Sequence, residues 1–339
     1  MAGSSVWDSL SHPAFPAELD ERDRHVGWAA LTVVAGTAAG IVGAIIVAIL
    51  VLAIFFGLMA AGGVLTEAQA VLRRLGEMTT RAETPTNLRD TATALVLLAS
   101  VNTPAFILPV LAAALIGRRR FLAYLNRFSR FRWSLLAWGM GLMSVSLLPL
   151  FVIGEIIEPT STGVPIMLQT HDLAGRLLFL LVAVGCLLPA AAAEEVLFRG
   201  WLLRQSMAFL RNPWAAMAVN GVLFAAMHMN PNLDDSFQLA MMGVAFCYMA
   251  LRFGGIEFAI GAHAINNILI VLFFQALPLA GAERHPFSIT VFLSAFLVPA
   301  ACLATTELVL RWQPLRNLVS VDVSSMPRVA TDETARDFD

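Results

Sequence analysis

The sequence predicts an all-α polytopic membrane protein, a bundle of about eight transmembrane helices. Three observations carry this reading. Of 339 residues, 58% are hydrophobic and 14% charged, and a soluble domain rarely passes about 50% apolar. The apolar residues gather in eight runs, near 28–60, 92–117, 133–157, 177–198, 214–231, 237–253, 256–280 and 289–310, most of them close to or above the roughly 20 residues a spanning helix needs. The basic residues are all Arg, and they concentrate in the segments between runs, the asymmetry that orients spans in a bilayer.

Taken in order, residues 1–27 form a polar tail with no basic stretch followed by an apolar one of the kind a cleaved signal carries. The run at 28–60 is overlong and must tilt or project. Residues 65–91 read as an outer loop, its four Arg balanced by four acids. The segment "RRRFLAYLNRFSRFR", 118–132, holds six Arg and no acid, which places it in the cytoplasm and, with an even number of spans, both termini beside it. The loop "EPTSTGVPIMLQTHD" has no Arg and "PNLDDS" has only acids; both fall outside. The runs at 214–231 and 237–253 are the shortest. Four units follow: the tail 1–27, N-terminal helices and basic loop 28–132, a second helical unit 133–310 with its core at 177–280, and a cytoplasmic tail 311–339 whose polar "VDVSSMPRVATDETARDFD" is expected to be disordered. Cys186, Cys247 and Cys302 lie inside apolar runs and read as small buried hydrophobes. The all-Arg, Ala-rich usage suggests a GC-rich bacterial genome, and so a bacterial inner membrane.

Polar residues at membrane depth then stand out, because an ionised side chain there costs at least about 2.5–3.5 kcal/mol. "AAAEEVLFRG" closes the fourth run with Glu194, Glu195 and Arg199. Glu195 and Arg199 stand i,i+4, about 40° apart on a helix, and can pair; Glu194 is about 140° from Arg199 and points elsewhere. The doublet divides into a structural carboxylate and a free one, unless both are juxtamembrane charges reaching for water. "FAAMHMN" sets Phe224 and His228 one turn apart, and "GAHAINN" does the same for His263 and Asn267, with Asn266 turned away. Singly, each imidazole or amide reads as a helix-packing hydrogen-bonder. Together they align. An antiparallel hairpin turning at "RNP", 211–213, puts Glu194, 17 residues before Arg211, level with His228, 17 after it, and a turn at 254–255 brings His263 alongside. Glu194 then lies about 25 Å from one turn and His263 about 12 Å from the other, so the hairpin at 211 must protrude or tilt.

In this order, "EEVLFR", "FAAMH" and "HAINN" resemble the EExxxR, FxxxH and HxxxN motifs of the CPBP family of CAAX-prenyl endopeptidases and bacteriocin-processing or immunity proteins. The resemblance covers about 177–280 and implies a CPBP-type catalytic core, a glutamate-type intramembrane endopeptidase acting on a membrane-associated protein or peptide. It implies that Glu194 is the general base, with His228 its partner in activating a water. His263 and Asn267 would hold the oxyanion, and Arg199, paired with Glu195, would support the site. The chemistry agrees: peptide hydrolysis needs a base beside a water and donors where the carbonyl oxygen gains charge.

No cofactor is expected. A zinc ion held by Glu194, His228 and His263 is the minority alternative, since a carboxylate and two imidazoles form a catalytic zinc set, although no HExxH is present. The expected partners are the substrate and the lipid bilayer, with no nucleic acid. Two rival classes stay open: a non-enzymatic scaffold or immunity factor of the same fold, and a transporter using Glu194 and the histidines as a proton relay. The absence of repeats speaks against the transporter.

Overall fold

The computed structural model describes residues 15–16, 19–63, 65–81, 88–128, 130–157, 167, 172–274, 284 and 286–319. The described residues are helical throughout, apart from short connections and an isolated bridge between Asn126 and Gly255. In chain order the helices are α1 (Val26–Ala61), α2 (Leu65–Arg81), α3 (Leu88–Gly117), α4 (Trp133–Ile157), α5 (Leu173–Glu195), α6 (Leu203–Leu210), α7 (Pro213–Met227), α8 (Leu233–Phe253), α9 (Glu257–Leu269), α10 (Ile289–Arg311) and α11 (Gln313–Val319). A π-helical turn, Val196–Leu202, welds α5 to α6, and a second, Ile270–Phe274, prolongs α9.

Among the described residues, seven helices are long and apolar enough to cross a membrane; α7, the eighth apolar helix, has 15 residues. At about 1.5 Å per residue it is roughly 22 Å long, short of a bilayer core of about 30 Å. This is an integral membrane protein of the helical polytopic class. α1, with 36 residues, extends about 54 Å and is largely uncovered by the rest of the chain. Residues 65–81, read as loop, are helical because Leu65, Ala68, Leu72, Leu75 and Met78 recur at helical spacing within a polar segment. Gln313–Val319 adds a short helix whose Leu315 and Val319 are buried; the disorder expected for "VDVSSMPRVATDETARDFD" falls on residues outside those described.

Local chemistry sets the turns that matter for the site. Arg211 takes a left-handed conformation at φ 53°, the Asn212 side chain accepts from the Trp214 and Ala215 amides, and Pro213 opens α7, so α6 and α7 form the hairpin expected at 211–213. Gly254, at φ 67°, ends α8, and α9 rises from that turn between α4, α5 and α8. α9 is buried from Glu257 through Ala264. It lies against α4 through glycines: a Cβ on Gly261 would come within 2.2 Å of the Leu136 carbonyl oxygen, and one on Gly139 within 2.6 Å of that of Phe258. Backbones this close leave no room for another side chain. Two apolar clusters flank α9. One joins Met143, Leu147, Phe246, Met249, Phe253, Phe258 and Cys302; the other joins Leu95, Phe179, Leu187, Ala264 and Ile268. All three cysteines are free, with Cys247 and Cys302 fully buried.

Candidate active site

The end of α5 delivers Glu194 and Glu195 into the bundle, and the π-helical turn begins at the next residue. Such wide turns cluster at functional sites, where they displace side chains from ordinary α-helical positions. Arg199, on that turn, is fully buried, as is Glu195. Its Nη1 donates to Glu195 Oε1 at 3.1 Å and its Nη2 to the Gly243 carbonyl of α8 at 2.9 Å. The guanidinium lies 4.6 Å from the ring centre of Phe224 and 5.2 Å from that of Phe246, a cation held against aromatic faces. The i,i+4 pair expected from spacing is present.

Glu195 Oε1 also meets Nδ1 of His263, at 2.8 Å. A carboxylate already receiving from Arg199 is an acceptor, so Nδ1 carries the hydrogen and donates. The ring of His263 stacks on Phe246, with centroids 5.0 Å apart, and sets an edge against Phe224. Its other nitrogen, Nε2, faces Glu194 Oε2 at 3.7 Å. In the neutral ring Nε2 bears a lone pair. Two lone-pair atoms therefore face one another, an arrangement satisfied by a proton on one of them or by a hydrogen-bonding group between. Glu194 is 13% exposed at its side chain, and its buried Oε2 has no hydrogen-bond partner among the described residues; Glu195 Oε2 and Arg199 Nε share that condition.

His228 caps the C-terminus of α7, and its Nδ1 lies 2.7 Å from the Phe224 carbonyl oxygen. A carbonyl cannot donate, so this Nδ1 carries the hydrogen and Nε2 of the neutral ring is an acceptor. The ring sits 4.7 Å from Phe224 and is solvent- or lipid-facing. No hydrogen bond or ion pair joins it to Glu194 among the described residues. Asn267, one turn beyond His263, accepts at Oδ1 from Asn266 Nδ2 at 3.1 Å, which leaves its own Nδ2 to donate elsewhere. The structure thus gathers Glu194, Glu195, Arg199 and His263 in direct contact. His228 is linked to them through Phe224, and Asn267 lies on the same helix as His263. No group of three His, Cys, Asp or Glu among the described residues is disposed to hold a metal ion.

Sequence reasoning missed the lining of this site. Phe198, Phe224 and Phe246 surround the guanidinium, Phe224 and Phe246 also pack on the imidazole of His263, and Phe224 alone meets that of His228. Phe224 stood in a motif, but Phe246 had no signal beyond being one aromatic in an apolar run.

The fold and the site together define a polytopic helical membrane protein with a carboxylate–imidazole–guanidinium centre enclosed between its helices. Residues 176–269 match the family described as type II CAAX prenyl endopeptidase, Rce1-like, a segment that contains all three motifs and bears out there the CPBP resemblance. The chain is 28% identical over 170 residues to the uncharacterized protein YyaK of Bacillus subtilis (strain 168), an alignment taking in 48% of this chain and 55% of that protein. The chain therefore spans about half the length of this curated relative. No solved structure matches it.

Proposed function

We propose that the protein is an intramembrane endopeptidase that hydrolyses a peptide bond of a membrane-associated protein or peptide. The observation that carries the reading is the facing of Glu194 Oε2 and His263 Nε2 at 3.7 Å, with Glu194 Oε2 otherwise unpartnered. A water bound at these two atoms gives up a proton to Glu194 as its oxygen attacks the substrate carbonyl carbon. The oxygen of that carbonyl becomes an anion, toward which Asn267 Nδ2 is the donor. The proton taken up passes to the departing amine as the C–N bond breaks, so the base is regenerated. Glu195 fixes the His263 tautomer through Nδ1, and Arg199 holds Glu195. The motif resemblance paired Glu194 with His228; the distances favour His263 as the imidazole next to the base, with His228 at the rim presenting Nε2.

The family match supports protease chemistry, and the buried Oε2 of Glu194, facing His263 with no hydrogen bond among the described residues, supports a general base. The proposed setting is a bacterial inner membrane with loop 118–132 cytoplasmic. No cofactor is invoked. The test compares membrane and secreted peptides from cells carrying the wild-type protein or its Glu194→Gln variant. Peptide ends that vanish in the variant, with both proteins present at equal level, are the expected result. Identical peptide sets would refute hydrolysis.

A further inference from the structure

α9 carries both His263 and Asn267, so its height in the bundle decides whether they meet Glu194. Glu257 opens this helix and is fully buried. Its carboxylate receives four donors from the connection between α3 and α4. Arg132 supplies its backbone amide at 3.2 Å and Nε at 3.1 Å to Oε1, and Nη2 at 2.6 Å to Oε2; Asn126 Nδ2 supplies the fourth, to Oε1. The remaining nitrogen of Arg132, Nη1, donates to the Phe253 carbonyl at the end of α8 at 2.9 Å. Backbone contacts continue the seam, with Ile256 N to Leu125 O at 2.8 Å and Arg127 N to Gly254 O at 3.2 Å. Arg132 precedes the first residue of α4. One guanidinium thus ties the start of α4, the end of α8 and the start of α9.

A carboxylate at a helix N-terminus is favoured by the helix dipole, but four donors on one buried group exceed what capping needs. These bonds fix the first residue of α9, and so the end from which the helix rises. Sideways, the glycine contacts with α4 already hold the helix. We infer that Glu257, Arg132 and Asn126 form a positioning clamp that sets the height of His263 and Asn267 against Glu194 and Glu195. None of the three touches the reacting groups; they are positioning residues, and the inference rests on the reading of the site above only for its kinetic arm.

The experiment uses the full-length protein in detergent and two measurements. Diethyl pyrocarbonate labelling, read residue by residue by mass spectrometry, reports access to His263, which is 4% exposed, with exposed His228 as internal control. Cleavage of an internally quenched farnesylated CAAX peptide reports kcat and KM. In Glu257→Gln the labelling of His263 should rise about tenfold while that of His228 stays constant. kcat should fall about 10²-fold with KM little changed, the scale expected for a misplacement of about 1 Å. Asn126→Ala, which removes a single donor, should move both readouts the same way and less far, and it decides the matter if Glu257→Gln does not fold. A folded variant that melts lower yet keeps His263 as protected as in the wild type would overturn the clamp. If the wild type leaves the peptide intact, the function proposed above loses support, whereas the labelling arm still judges the clamp.

Discussion

Replacing Arg199 by Met keeps most of the volume between Phe224 and Phe246 but removes a charge that the structure has fully enclosed. Glu195, also fully buried, would keep its bond from His263 and lose the guanidinium that balances it. Breaking a buried pair by removing one partner costs about 3–5 kcal/mol, because the survivor is stranded. The lost cation–aromatic contact adds about 1–2 kcal/mol at most and overlaps with that figure. At about 2 °C per kcal/mol for a large chain, the midpoint of thermal unfolding in detergent should fall by about 6–10 °C. A second variant sharpens the reasoning. Arg199→Met combined with Glu195→Gln strands no charge, and a glutamine there still offers an oxygen to His263 Nδ1, so most of the lost stability should return. The assay is thermal unfolding of the three variants and the wild type under one detergent condition. If Arg199→Met melts like the wild type yet has no activity, Arg199 belongs to the reaction and the stranded-charge argument is refuted. If the double variant melts no higher than the single one, the pair does not act as a charge unit.

Glu194→Gln and His263→Ala should each abolish nearly all turnover and cost little more when combined, because groups that act as one are strongly non-additive; combining Glu194→Gln with His228→Ala tests the alternative pairing, and non-additivity there in place of the first would return the role to His228. Activity should survive exhaustive chelation; loss on chelation with recovery on adding zinc would make Glu194, His228 and His263 ligands. Asp23 lies just before α1, where burial raises its pKa and Arg204 and Arg119 outweigh that effect to hold it below the usual carboxylate value. A depressed folded-state pKa stabilises above the unfolded value of about 3.9 and stops doing so as pH falls through the folded one. Wild type should therefore melt above Asp23→Asn at neutral pH and the two should converge under acid, as a pair of melting-against-pH curves would show; a constant gap would contradict the assignment.

Much of the framework was legible because its signals are local. The run at 133–157 matches α4 from end to end, and the turns at 211–213 and 254–255 fall where Asn212, Pro213 and Gly254 dictate. The start of α5 lies at Leu173, before the expected 177, because the Asp172 side chain accepts from Ala174 N and Gly175 N and Arg176 breaks the apolar run without breaking the helix. α2 was hidden because its apolar stripe sits in a polar average. The Glu195–Arg199 pair was readable because both partners share one helix. What could not be read is rotation between helices. Whether His228 or His263 meets Glu194 depends on how α7 and α9 turn about their own axes, which the spacing within either helix does not record. The π-helical turn after Glu195 leaves no mark in composition, and neither does the clamp on Glu257, whose partners are 125 and 131 residues away.

That Glu195 and Arg199 are neighbours on one helix also bears on how the chain enters the bilayer. Opposite charges one turn apart can neutralise each other as soon as that turn forms, before any other helix is present, so this segment meets the lipid as a dipole and not as two separate ions. Glu194 and His263 have no such arrangement. Their encounter needs α9, which leaves the ribosome some seventy residues later. During synthesis the carboxylate therefore exists for a time without its imidazole, and Asn267 arrives later still. A nascent chain that stops short of α9 holds the proposed base without the groups proposed to aim it. The order of the sequence keeps the proposed catalytic centre incomplete until nearly all of its own spans have been made.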